Sequence, residues 1–294
     1  MRGGHGSHSR YPRGVSTHPA AREGTVESWA LAFVLERDAA RKLAPGAAPD
    51  VREDASWCED GVERRVEAPG RPGEWSVTRR AEKAAKAGAL GRVEERVRML
   101  HVFAHHELQA AELFAWALLA FPQTPHAFRA GLVALCAEEL RHLASYVRRI
   151  EELGGRFGMH PLRDWFWERV GSVRTPLEFV ALQGVGLEGA NLEHAARWAR
   201  LFRAAGDEAS AQLIDVVERD EIGHVAFART WFERLGGEAL TYERWAAALP
   251  PPLTPALFHG AQLNLEARRR AGLDETFLAA LQRAGPAVRE RATP

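Results

Sequence analysis

The sequence predicts an all-α protein: a four-helix bundle with one long crossover, plus N- and C-terminal helical extensions. Three observations carry that expectation. Four long stretches repeat apolar residues at helical spacing. Each is bounded by Pro, Gly or a capping side chain. The connection between the second and third is longer than the others and holds Trp165, Phe166 and Trp167.

Taken in order, residues 1–24 carry Gly, Ser, His and Arg without an apolar run, and read as a disordered tail rather than a secretory signal. His5 and His8 are read as solvated. An N-terminal helical and irregular extension occupies 25–85. It opens with a helix over Thr25–Leu43, with Trp29, Phe33 and Val34 on one side and Pro45 closing it. A short hairpin around Val62–Val66 is suggested, and Pro69, Gly70, Pro72 and Gly73 read as a linker.

The bundle spans 86–237. Its first helix covers Arg92–Ala120, with Val93, Val97, Leu100, Phe103, Ala104, Ala111, Phe114 and Leu118 on one stripe. The second covers Thr124–Leu153 and stops at Gly154-Gly155. The third opens at Thr175-Pro176-Leu177-Glu178, an N-cap, a first-position Pro and a capping-box Glu, and ends near Gly206. The fourth runs from Asp207 to Gly236-Gly237. Two further helices, Ala256–Arg270 and Asp274–Arg283, belong to a C-terminal extension over 238–294.

Within the bundle stand two Glu-x-x-His motifs, Glu139–His142 and Glu221–His224. Residues three apart share a helix face, so each motif offers a carboxylate and an imidazole to one point. Glu107 precedes Glu139 by 32 positions and Glu188 precedes Glu221 by 33. The apolar stripes place all six residues inward, where six such polar groups are costly unless compensated. Glu107, Glu139, His142, Glu188, Glu221 and His224 are therefore the candidate ligands of two metal ions. One Glu from each of two helices plus Glu-x-x-His from each of the others is the ligand set of di-metal carboxylate bundles, and the single long crossover is ferritin-like connectivity. Carboxylate and imidazole together suit iron, with manganese the alternative and zinc not excluded. The competing reading is a metal-free bundle with surface Glu-His pairs.

Glu112 and Glu193 follow the upstream acids by five positions, a turn of about 140°. They are read as surface or supporting groups, although either could replace its neighbour as ligand. Glu138 and Asp220 are candidates to orient the ligating histidines, or are solvated helix charges. Tyr146 and Cys136 are read as core residues, His105 and His106 as helix-surface groups with His105 able to bond near the site. Arg148-Arg149 and Arg268-Arg269-Arg270 read as solvated faces.

With 39 basic and 39 acidic residues the chain has no global positive field, which disfavours nucleic acid as a partner. Two cysteines without CxxC spacing fit a reducing, cytoplasmic compartment. The longest apolar run, Leu113 to Phe121, is too short to cross a bilayer.

Several segments resemble a bacterial ferritin-like family, domain-of-unknown-function family 455. They are Ala104-His105-His106-Glu107-Leu108-Gln109-Ala110-Ala111-Glu112-Leu113, Glu138-Glu139-Leu140-Arg141-His142, Leu187-Glu188, Arg219-Asp220-Glu221-Ile222-Gly223-His224-Val225-Ala226 and Asn264-Leu265-Glu266-Ala267-Arg268. Val26-Glu27-Ser28-Trp29-Ala30-Leu31 looks like the family's opening, and the resemblance covers residues 25–285. It implies a ferritin-like fold and a di-metal centre, in outline similar to ferritin-like tRNA hydroxylases and other di-iron oxygenases, without naming a substrate. The functional expectation is a non-haem di-iron, or Mn/Fe, carboxylate protein: an O2-dependent oxidase or hydroxylase of a small molecule. The alternatives are a ferroxidase or metal-handling protein and a metal-stabilised binding scaffold. A tRNA substrate is the minority form of the first reading, since tRNA binding leaves an electrostatic footprint. The electron donor and the oligomeric state, a dimer among the options, are not legible.

Overall fold

A computed structural model of the chain describes residues 19–78, 87–260 and 262–285; His5 and His8 lie outside the described residues. It is all-helical, and among the described residues the β-type pairing is an isolated parallel bridge between Val77 and Leu162. The chain divides into two compact units, Met1–Gly171 and Ser172–Pro294.

The first unit opens with α1 (Val26–Leu35) and α2 (Ala39–Leu43), where the sequence suggests one helix. Glu36 turns back so that Oε1 accepts from the backbone N–H groups of Arg37 and Asp38, and Asp38 caps α2 by accepting from Arg41 N. A capping carboxylate at this point ends one helix and starts the next. Lys42, fully buried, then donates to the carbonyls of Phe33 and Val34, both at 2.9 Å. Both carbonyls belong to the last turn of α1, and the N–H groups four residues on, Arg37 and Asp38, go to Glu36 instead.

Residues 45–78 are irregular apart from a 3₁₀ turn over Asp54–Ser56. The suggested hairpin at Val62–Val66 does not form. Its polar groups bond to the next helix instead, Arg64 N to Leu119 O at 2.8 Å and Trp116 Nε1 to Val66 O at 3.0 Å. Nor is Pro69–Gly73 a loose linker. Gly70 N donates to Val34 O, and a Cβ at Gly70 would lie 2.2 Å from Leu35 O. Backbone packs on backbone there, and only glycine fits.

α3 (Val93–Ala120) and α4 (His126–Glu152) form an antiparallel hairpin, with α1 against α3. Leu100, Ala104, Leu108, Cys136, Leu143 and Ile150 are buried; Val93, placed on the inner stripe by periodicity, is exposed in the first turn. α4 starts at His126 rather than Thr124 because Pro125 serves as N-cap, and its end at Leu153–Gly154, with Gly154 at φ 82°, matches the Gly-Gly stop. The returning segment closes on α3. Gly158 N donates to His101 Nε2 at 2.9 Å, the Phe157 ring stacks on His101, and short α5 (Trp167–Val170) follows.

The second unit begins with α6 (Pro176–Phe179) and the expected Thr175–Glu178 capping box. The predicted helix is unbroken from Pro176 to Ala204, but it is not α throughout. Val180–Glu188 is a π-helix, then α7 runs Gly189–Ala204. Gly189 N reaches Gly184 O, five residues back. Packing explains why the segment lies where it does. A Cβ at Gly184 would sit 2.2 Å from Ala228 Cβ, one at Gly186 would sit 3.1 Å from the Phe258 ring, and Trp245 Nε1 takes the Ala181 carbonyl at 2.9 Å.

α8 (Glu208–Gly236) has both predicted ends, an Asp207 cap accepting from Ser210 N and Gly237 at φ 71°. A helix not foreseen, α9 (Tyr242–Ala248), carries Trp245. The suggested helix over Ala256–Arg270 is a 3₁₀ turn, Pro255–Phe258, followed by α10 (Leu265–Arg270) with Asn264 as cap. α11 (Glu275–Ala284) has the expected Asp274 cap. Among the described residues no helix is long and apolar enough to cross a membrane.

His101 yields a pH prediction. Burial, reinforced by His160 and His105, pulls its pKa down to about 3, so the folded state keeps it neutral while the unfolded chain protonates near 6.5. The unfolded state then binds more protons between these values, and stability falls as pH drops through that window. At pH 5 the loss from this residue is expected to be about 2 kcal/mol relative to pH 7. Urea midpoints at the two pH values should converge in His101→Gln, and an unchanged slope would remove this residue from the acid response.

Candidate metal centre

The six candidate ligands are all buried, as their stripes require, with Glu139 and Glu221 at 0% exposure. In the first unit, α3 supplies Glu107 and α4 supplies Glu139 and His142 one turn apart. Ligand atoms of these three lie within 4.8 Å of one another. His142 Nδ1 is 3.5 Å from Glu139 Oε2 and 3.6 Å from Glu107 Oε2. In the second unit, the π-helix supplies Glu188 and α8 supplies Glu221 and His224, again within 4.8 Å, with His224 Nδ1 3.1 Å from Glu221 Oε2. In both triads the same ring nitrogen, Nδ1, faces the carboxylates.

The first triad is electrostatically poised for a cation. Burial and the neighbouring Glu139 charge push the Glu107 carboxyl well above the usual range. Burial works against protonated His142, yet Glu107 and Glu139 outweigh it and push its pKa up to about 12. Both directions state one demand, that positive charge be present among these carboxylates. Two carboxylates and an imidazole per triad, buried and within ligand distance, can hold a metal ion, and the donor set suits iron, manganese or zinc. Cys136, one turn before Glu139, takes no part as a thiolate, because burial and the Glu139 charge push its pKa up.

Glu112 and Glu193 are neither surface groups nor in the triads. Glu112 is fully buried and accepts from both Nη atoms of Arg71, from Lys42 at 2.6 Å and from Trp167 Nε1 at 2.8 Å. Arg71 also holds Asp164, at 2.7 Å. Glu193 accepts from Arg268 Nε at 2.6 Å and Nη2 at 3.0 Å, and from Asn264 N at 3.0 Å. Arg268 is thus buried at 1% exposure, a correction to its reading as a solvated charge; Arg269 beside it does pair at the surface, with Glu275. His105 is buried against Arg163 O and Asp164 rather than on the helix surface, whereas His106 is exposed and stacks on Phe166. Glu138 pairs with Arg141 on its own helix. Tyr146 is a buried neighbour of Phe103.

Two residues absent from the sequence reading touch the second triad. Gln183 Nε2 donates to Glu188 Oε1 at 2.5 Å, and Asn191 Nδ2 donates to Glu221 Oε1 at 2.8 Å. Asn191 stands three residues after Glu188, a spacing that marks it as a neighbour. Gln183 stands five residues before, on the same face only where the helix widens to a π turn. Its one sequence signal is the glycine cluster Gly184, Gly186 and Gly189 inside a helical stretch.

Fold and site together define a class: an all-helical protein with buried carboxylate–imidazole clusters able to bind metal. Within that class, the family described as "Protein of unknown function (DUF455)" matches residues 34–279, and the chain belongs to it. No curated protein and no solved structure matches the chain.

The Arg268–Glu193 pair predicts a large, specific cost. Arg268→Met leaves a buried carboxylate without its guanidinium and is expected to lose about 3–5 kcal/mol in denaturant unfolding. Arg268→Met/Glu193→Leu should recover most of it, and a double variant no better than the single one would show that the pair is not the source.

Proposed function

We propose that the two triads belong to one di-metal centre in a ferritin-like four-helix bundle, and that the protein is an O2-dependent di-iron oxidase or hydroxylase of a small molecule, with manganese the alternative metal. The observation that supports this most is duplication. Two buried Glu/Glu-x-x-His sets stand at nearly the same spacing, each with Nδ1 turned to its carboxylates. In this reading Glu107, Glu139 and His142 would hold one ion and Glu188, Glu221 and His224 the other. Four carboxylates neutralise two divalent ions, which removes the cost of burying them unpaired. Bound as ferrous iron, the pair would supply the electrons that reduce dioxygen.

The protein's own contribution is position and dryness. Leu135, Leu143, Val217 and Val225 are buried on the ligand-bearing helices and keep water from the carboxylates. Glu112 and Glu193, satisfied by arginine, fix α3 and α7 without competing for metal.

Protein purified without chelators is expected to carry about two iron or manganese atoms per chain, by analogy with the ligand count of such bundles, and Glu139→Gln/Glu221→Gln to carry none. Anaerobic loading with ferrous iron followed by oxygen should bleach or develop near-ultraviolet absorbance faster than free ferrous iron oxidises. Metal binding with no such acceleration refutes the oxidase reading, and a cage-like assembly on sizing would then favour metal handling. Absence of stoichiometric metal after reconstitution would leave a helical scaffold.

A further inference from the structure

The two triads match in ligand type but not in what holds their carboxylates. Glu188 receives Gln183 Nε2 and Glu221 receives Asn191 Nδ2. At the corresponding positions of the first unit, five before and three after Glu107, stand Val102 and Ala110, whose side chains can donate nothing. Gln183 is 1% exposed and its Oε1 has no hydrogen-bond donor. Burying an amide with half its capacity unused costs roughly 1–3 kcal/mol. The π turn that brings Gln183 over Glu188 adds to the local specialisation, since a regular helix would put positions 183 and 188 on different faces.

Both features serve one end, a Glu188 carboxylate already aimed before any ion arrives. The Asn191 bond does the same for one oxygen of Glu221 and leaves Oε2 facing His224. Supporting hydrogen bonds of this kind typically carry 10–100-fold in metal affinity, because the carboxylate need not be ordered at the moment of binding.

On the di-metal reading above, we infer that the two metal positions are inequivalent: Gln183 and Asn191 are positioning residues that make the Glu188–Glu221–His224 side the tight one, which fills first, while the Glu107–Glu139–His142 side fills second.

The test is Mn2+ titration of the metal-stripped full-length protein, with free Mn2+ followed by electron paramagnetic resonance. Wild type should show two events, the first at least about tenfold tighter. Glu107→Gln should keep the tight event and Glu188→Gln should lose it. Gln183→Met, close in shape but without a donor, should weaken the tight event about tenfold or more and leave the second in place. A merely structural role would weaken both together. Two indistinguishable events, loss of the tight event in Glu107→Gln, or an unaffected tight event in Gln183→Met would each overturn the inequivalence while leaving a di-metal protein. No binding by wild type would overturn the di-metal reading itself.

Discussion

A carboxylate buried in a helical core must meet positive charge or hydrogen-bond donors, and the organisation of this chain follows from how often it buries one. Glu27 meets Arg129 and the Cys58 amide; Glu112 meets Arg71 and Lys42; Asp164 meets Arg71; Glu193 meets Arg268. In each case the partner comes from a segment distant in sequence. These contacts dock α1 on α4, the irregular stretch on α1 and α3, and α10 on α7. The segments flanking the long helices are therefore held by internal ions rather than by apolar packing alone. Such pairs are poor sources of net stability but expensive to break, so they fix which segment lies against which.

The same solvation problem has a second solution in the triads. Glu107, Glu139, Glu188 and Glu221 contact imidazoles, whose charge depends on protonation, and neutral side-chain amides, both weaker partners than arginine. Arginine beside Glu107 would satisfy its charge permanently and block a cation from approaching. Histidine satisfies it only while protonated, and the proton can be exchanged for a metal ion. The contrast between Glu107 and Glu112, five residues apart on one helix, separates a carboxylate left available from one that is neutralised. Burial raises both carboxyls; Glu107 stays high, with the Glu139 charge adding to the rise, whereas Arg71 and Lys42 overcome burial at Glu112 and hold it below the usual value.

Much of this was legible in the sequence, and the parts that were not share a physical cause. Long helices bounded by local signals read correctly: the Thr175 capping box, the Asp207 cap and the Gly154 and Gly237 stops act within a few residues of where they stand. The burial of the six Glu and His residues was legible from periodicity. What failed depends on distant partners. Arg268 looks solvated until Glu193 is placed against it, and Val62–Val66 alternates like a strand but spends its hydrogen bonds on α3. Helical periodicity assumed 3.6 residues per turn through Val180–Glu188, and that assumption hid Gln183.

The π segment shows why such a departure from regular geometry is tolerated. A widened turn costs hydrogen-bond quality and needs close packing to survive. Here Gly184 lets Ala228 approach, Gly186 admits the Phe258 ring and Trp245 occupies the Ala181 carbonyl, so three separate contacts hold it. Local irregularity of this kind persists where the surroundings over-determine it. Those contacts come from α8, α9 and the Pro255–Phe258 turn, two of which lie in the C-terminal extension. The extension is then part of what sets the position of Glu188, and its packing reaches the candidate metal centre through backbone geometry rather than through a ligand of its own.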